Sequence, residues 1–174
     1  VLRRVFDNNG MVIAELLDSG VLAEVTAVEL AEVASWFAHD KEGGHRPLPI
    51  TERLSRVRDA TEATLRHVLD VERRNGVDLS TPISEQFRGV GLGWATGASL
   101  GSIAERSGLA EGDIVFALQK TIDICRQMAQ AAPYSRVPSL SRRAHEAEQM
   151  LRRGVVASYY RWIVEGQPGP AESQ

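Results

Sequence analysis

Residues 110–131 read AEGDIVFALQKTIDICRQMAQA, with no glycine or proline between Gly112 and Pro133. Ile114, Leu118, Ile122, Cys125 and Ala129 recur at intervals of four, four, three and four, the spacing that stacks side chains on one face of an α-helix. At about 100° per residue, Gln119, Lys120, Asp123, Gln127 and Gln130 fall on the opposite side. The spacing therefore predicts a helix over 110–131, closed by Pro133, with its apolar stripe in a core. Phe116 falls among the polar residues. Two readings of it stay open on spacing alone. A second helix could cover it, or it could stand as an aromatic plate one turn before Lys120 and two before Asp123, which is how proteins hold single-stranded bases without reading their sequence.

The same periodicity spreads outward in both directions. Apolar residues fall at helical spacing over 11–17 and 25–37, and Asp18-Ser19-Gly20 between them suits a helix end. The second block opens with Thr26-Ala27-Val28-Glu29, a capping-box pattern in which the Thr hydroxyl and the Glu carboxylate serve backbone N–H groups left unpaired by the first turn. Residues 41–49, with Gly43-Gly44 and with Pro47 and Pro49, cannot continue a helix. An exposed loop is expected there, and protease is expected to cut first at 41–46 or in the tail after Gly166. A long helix is expected over 51–75, with Leu54, Val57, Thr61, Leu65, Val68 and Val71 on one stripe. Residues 83–94 read as a helix weakened by Gly89, Gly91 and Gly93. Residues 99–106 read as a short helix, and 140–164 as a last one. No segment sustains the alternation of a half-buried strand. The fold class expected is all-α, a bundle of about seven helices in one domain over 1–165, with a disordered tail over 166–174.

Composition bounds the function. The chain has 174 residues and a formal net charge of -3, against a stand-alone domain that holds nucleic acid by bulk charge. The lone Cys125 cannot form an internal disulfide and fits a cytosolic, cytoplasmic setting; on its apolar stripe it reads as core filler. No apolar run is long enough for a membrane span, and Val1-Leu2-Arg3-Arg4 lacks the apolar stretch of a signal peptide. The first residue is not Met, and a piece of a longer protein is expected.

Motifs for chemistry are scarce. There is no phosphate-wrapping G-x-x-x-x-G-K-[ST] loop and no H-E-x-x-H, and His39, His45, His67 and His145 stand at no metal-binding spacing from one another. No catalytic residue, metal site or cofactor is expected within this stretch. Gly89-Val90-Gly91-Leu92-Gly93-Trp94 neither follows a strand nor matches a dinucleotide turn, and reads better as close helix packing plugged by Trp94. Residues 99–119 have the outline of a helix-turn-helix, with Gly108 at the turn. Its second helix, however, starts with Glu111-Gly112-Asp113, two acids facing any phosphate.

Four strings in order carry a resemblance: Gly20 to Ala31 (GVLAEVTAVELA), Trp94 to Ser99 (WATGAS), Glu111 to Val115 (EGDIV) with Arg126-Gln127-Met128 beyond it, and Arg152 to Ala157 (RRGVVA). From about Leu2 to Ala157 the chain resembles the DSHCT domain, the C-terminal helical domain of the superkiller and exosome-associated DExH-box RNA helicases and their bacterial relatives. The resemblance implies a helical bundle packed in cis on an upstream RecA-like helicase core, which would bind ATP and magnesium. It also implies that residues 110–131 form the ratchet helix, which touches single-stranded RNA, or DNA, as the strand leaves the motor. Members commonly carry a basic residue where Phe116 stands, another at Lys120 and an acid at Asp123. Lys120 and Asp123 match in charge. Phe116 departs, exchanging a charged contact for a stacking surface. Phe116, Lys120, Asp123 and Gln127, four, three and four residues apart, are the expected nucleic-acid-binding residues. The reading from another class is a DNA-binding or protein-interaction domain built on the helix-turn-helix outline at 99–119.

Overall fold

A computed structural model describes residues 9–38 and 46–158. These form seven α-helices: α1 Gly10–Ser19, α2 Ala27–Ser35, α3 Glu52–Arg74, α4 Val90–Ala95, α5 Leu100–Ser107, α6 Glu111–Ala131 and α7 Leu140–Leu151, with a 3-10 turn over Ala132–Tyr134. Helical backbone returns at 154–158, and no strand occurs among the described residues. The all-α bundle expected from periodicity is the fold observed. The loop at 41–45, His39, His45, the continuation of the last helix beyond 158 and the tail over 166–174 lie outside the described residues.

The helix starts are written in local chemistry. Thr26 Oγ1 accepts from the Glu29 amide at 3.3 Å while Glu29 Oε2 accepts from the Thr26 amide at 3.0 Å, completing the capping box. Thr51 caps α3 and Ser99 caps α5 in the same manner, each hydroxyl accepting from the amide three residues on. Gly20 and Gly108 close α1 and α5 with φ of +83° and +76°, a region in which a Cβ is strained.

At the centre α2 packs against α4, α6 and α7, and α6 lies along α7. Leu30, Val33, Ala34 and Trp36 meet Ile114, Leu118, Ile122 and Cys125 in one wholly buried core. α3 lies outside, against α1 and α2, with Leu54, Val57, Thr61, Leu65 and Val68 turned inward. The stripe ends differently from expectation. Val71 is only partly buried, and Glu72 is the buried residue of that turn. Its carboxylate accepts from the Leu79 amide (3.3 Å), the Ser80 amide (3.1 Å) and the Ser80 hydroxyl (2.7 Å), tying down the chain that follows α3. These bonds, the hydroxyl first, hold the Glu72 carboxyl below its ordinary value.

Two expected helices are corrected. The helix over 83–94 is confined to Val90–Ala95, and Ile83 is buried from non-helical backbone. Its start is set by a tertiary partner, Glu32 of α2, which accepts from the Gly89 amide at 2.5 Å and the Leu92 amide at 2.8 Å. The glycine string serves close packing: a Cβ on Gly89 would stand 2.6 Å from Leu48 Cβ, and one on Gly91 2.7 Å from Ser35 Oγ and 2.8 Å from the Ala31 carbonyl oxygen. Gly91→Ala is therefore expected to push α4 off α2 and cost about 1–3 kcal/mol, read as a lowered midpoint in urea unfolding. An unchanged midpoint would refute the close approach.

The helix over 140–164 is broken at Arg152 and Arg153, with Gly154 at φ +51°. The break is a clamp. The Arg153 guanidinium lies 3.7 Å over the Trp94 ring and donates to the carbonyls of Trp94 (2.7 and 3.0 Å) and Ala98 (2.5 Å), while Trp94 Nε1 donates to the Leu151 carbonyl at 2.9 Å. Trp94 thus ends α4 and α7 together. Two of the motif strings, Trp94 to Ser99 and Arg152 to Ala157, meet at this contact.

Candidate nucleic-acid interface

α6 positions the site because one of its sides is committed to the core. Ile114, Leu118, Ile122 and Cys125 are at most 0% exposed, and Ala117, Thr121, Ile124, Met128 and Ala129 widen the buried face. Cys125 is wholly enclosed, and burial, aided by the nearby Glu148 charge, pushes its thiol well above the usual thiol range. It is core, as its place in the stripe implies.

The structure places the four expected binding residues along the other side of α6. Phe116 is 68% exposed, so no helix among the described residues covers it. Lys120 and Gln127 are partly exposed and Asp123 exposed. From Phe116 to Gln127 the row runs about 16 Å at helical rise. Asp123 faces along the helix to Arg126, whose Nη1 lies 3.3 Å from Asp123 Oδ1.

Arg126 leads to a network that periodicity did not reveal. Its Nη2 lies 3.2 Å from Glu148 Oε1 on α7, and Glu148 also receives Arg152 at 2.6 Å and faces His145 Nδ1 at 3.5 Å. The polar row of α6 is thereby braced on α7 through Asp123, Arg126 and Glu148. Arg126 belongs to a string quoted for the resemblance, and no local spacing pairs it with Glu148, 22 residues away.

Gln119 is a correction. Periodicity sets it on the polar side, yet only 8% of it is exposed, and its Nε2 is buried with no hydrogen-bond partner. It helps line a hollow of about 370 Å³ together with Leu100 of α5, Glu111, Gly112, Val115 and Phe116 of α6, and Val155. Val155 is itself 47% exposed. No signal in α6 alone places residue 155 beside residue 119.

The helix-turn-helix outline exists as geometry, α5, Gly108 and α6, with Glu111 and Asp113 in the first turn of its second helix. Those acids oppose a phosphate approaching the helix start. Among the described residues no group of three or more His, Cys, Asp or Glu side chains is arranged to hold a metal ion, and no helix is long and apolar enough to cross a membrane.

Residues 1–158 match the family model of the DSHCT (NUC185) domain. The chain belongs to the DSHCT domain family. The match spans nearly all of the bundle and includes the four motif strings. Over 170 residues this DSHCT domain is 30% identical to the probable helicase HelY of Mycobacterium leprae (strain TN), covering 90% of this chain and 18% of that protein. Over 157 residues it is 25% identical to the exosome RNA helicase MTR4 of Homo sapiens, covering 86% of this chain and 15% of that protein. The chain thus spans less than one fifth of the length of either helicase. The DSHCT match ends at residue 158, so residues 159–174 lie past it.

Proposed function

We propose that this chain is the non-catalytic C-terminal helical module of an ATP-dependent DExH-box RNA helicase, packing in cis on a RecA-like core and touching the translocating single strand with α6. One observation carries the reading: an aromatic ring 68% exposed on the side of α6 facing away from the core, in a domain whose relatives are helicases. An exposed ring offers apolar area and a π-face, and every base has a π-face to stack on it. Phe116 supplies that face, Lys120 a phosphate contact, and Asp123 with Gln127 polar groups for a base or sugar edge. ATP and magnesium belong to the core, where strand passage is coupled to hydrolysis.

The negative charge of the chain makes the module a weak binder alone and places the affinity in the assembled channel. The test is made in the full-length protein containing this chain. Phe116→Ala is expected to weaken single-strand RNA affinity about tenfold, since base stacking on an aromatic contributes about 1–3 kcal/mol. Fluorescence anisotropy with a labelled single strand reads this. Unchanged affinity for both RNA and DNA strands would overturn the strand-contact role of Phe116.

A further inference from the structure

The hollow between α5, the first turns of α6 and Val155 is walled mostly by apolar side chains, Leu100, Val115, Phe116 and Val155. Phe116 and Val155 are exposed. Large apolar side chains gathered around one hollow and left in water mark an interaction surface rather than scattered exposure. The chain itself supplies an occupant. Helical backbone returns at 154–158, with Val156 wholly buried and Val155 one wall of the hollow, so the chain leaves the described bundle beside it.

Residues 159–164 read YYRWIV, five of the six apolar or aromatic, whereas 165–174, EGQPGPAESQ, hold no large apolar side chain. Tyr159 and Trp162 come four and seven residues after Val155, the spacing that stacks side chains on one helix face. The period that sets Val155 in the wall therefore falls next on two aromatics, each with a polar tip suited to a rim half in water. Charge agrees. Glu111 lines the hollow and Asp113 stands in the same first turn of α6, two acids that repel a phosphate, while the one charge within 159–164 is that of Arg161. A segment tethered this close meets the hollow at an effective concentration of about millimolar, which favours it over a diffusing partner of similar chemistry.

We propose that residues 159–164 dock in this hollow, laying Tyr159 and Trp162 against Phe116 and Val155, and that they shield the Phe116 ring until a strand displaces them. The docking stands on the hollow and on the sequence that leaves the bundle beside it. The shielding rests on the strand contact proposed above.

The experiment uses the full-length protein containing this chain, carrying Gly112→Cys. Gly112 lines the hollow, and a Cβ there meets nothing within 4 Å, so the thiol adds a reporter without removing a wall. Its reaction with a maleimide, read on its own peptide by mass spectrometry, follows the fraction of time the hollow stands open. With Tyr159→Ser and Trp162→Ser added together, labelling is expected to quicken about tenfold. Equal rates overturn the docking. Buried Cys125 is the control: if its labelling rises along with that of residue 112, the two aromatics hold the bundle together rather than close the hollow, and the docking fails as well. Single-strand affinity, measured by fluorescence anisotropy, reads the shielding. A ring blocked most of the time lowers the apparent affinity, so the Tyr159→Ser, Trp162→Ser variant is expected to bind about fivefold tighter. Faster labelling with unchanged affinity keeps the docking and overturns the shielding. If Phe116→Ala leaves strand affinity unchanged, the strand contact itself fails and the shielding with it, and labelling alone decides the docking.

Discussion

Glu32→Ala is expected to be the most destabilising single change among the polar residues of the bundle, costing about 3–5 kcal/mol. Glu32 is wholly buried, yet both its oxygens are engaged: Oε1 accepts from Trp36 Nε1 at 2.7 Å and from the Gly89 amide, and Oε2 from the Leu92 amide. Truncation leaves three N–H donors, those of Trp36 and Gly89 buried and that of Leu92 part-buried, without their acceptor, and two of them are at the start of α4, which has no side-chain cap of its own. Urea unfolding monitored by circular dichroism reads the loss. A cost under 1 kcal/mol would mean that water replaces the carboxylate and that Glu32 does not set the start of α4.

The same residue predicts a pH dependence. Burial holds the Glu32 carboxyl above its ordinary value, against the pull of the Gly89, Leu92 and Trp36 donors and the Arg58 charge. The folded protein therefore binds this proton more tightly than the unfolded chain does. The contribution is fully present below the unfolded value and is lost as pH rises through the folded one. Melting temperatures across that window, compared with Glu32→Gln, should show the native protein losing ground to the variant as pH rises.

The second large effect is a contrast within α6. Leu118→Ala should cost about 2–5 kcal/mol through a cavity in the core, whereas Phe116→Ala, two residues away, should leave the melting temperature nearly unchanged. Leu118 is 0% exposed and Phe116 68%. In the full-length protein the two variants should exchange roles, with Phe116→Ala reducing strand-stimulated ATPase. Equal losses of melting temperature would make Phe116 a core residue and remove it from the proposed interface. Lys120 and Asp123 would then be the remaining members whose charge follows the family pattern.

The helical class and the two faces of α6 were legible in the amino-acid sequence because both rest on local rules. A period near 3.6 sorts Ile114, Leu118, Ile122 and Cys125 from Phe116, Asp123 and Gln127 whatever the rest of the chain does. Thr26, Thr51 and Ser99 cap their helices through atoms three residues away. What tertiary structure alone decided lies in contacts between distant segments. Glu32 starts α4 from 57 and 60 residues away, and Arg153 and Trp94 clamp two helix ends across 59. The expected helix over 83–94 was therefore started too early and the one over 140–164 was drawn without its break at Arg152 and Arg153: propensity cannot see a carboxylate or a guanidinium arriving from elsewhere. Gln119 shows the same limit within the candidate site. Its position on the wheel is at the border of the polar side, about 100° from the centre of the apolar stripe, where the angle alone does not decide; its burial is set by the neighbours the fold brings, among them Leu100 of α5 and Val155, which line the same hollow.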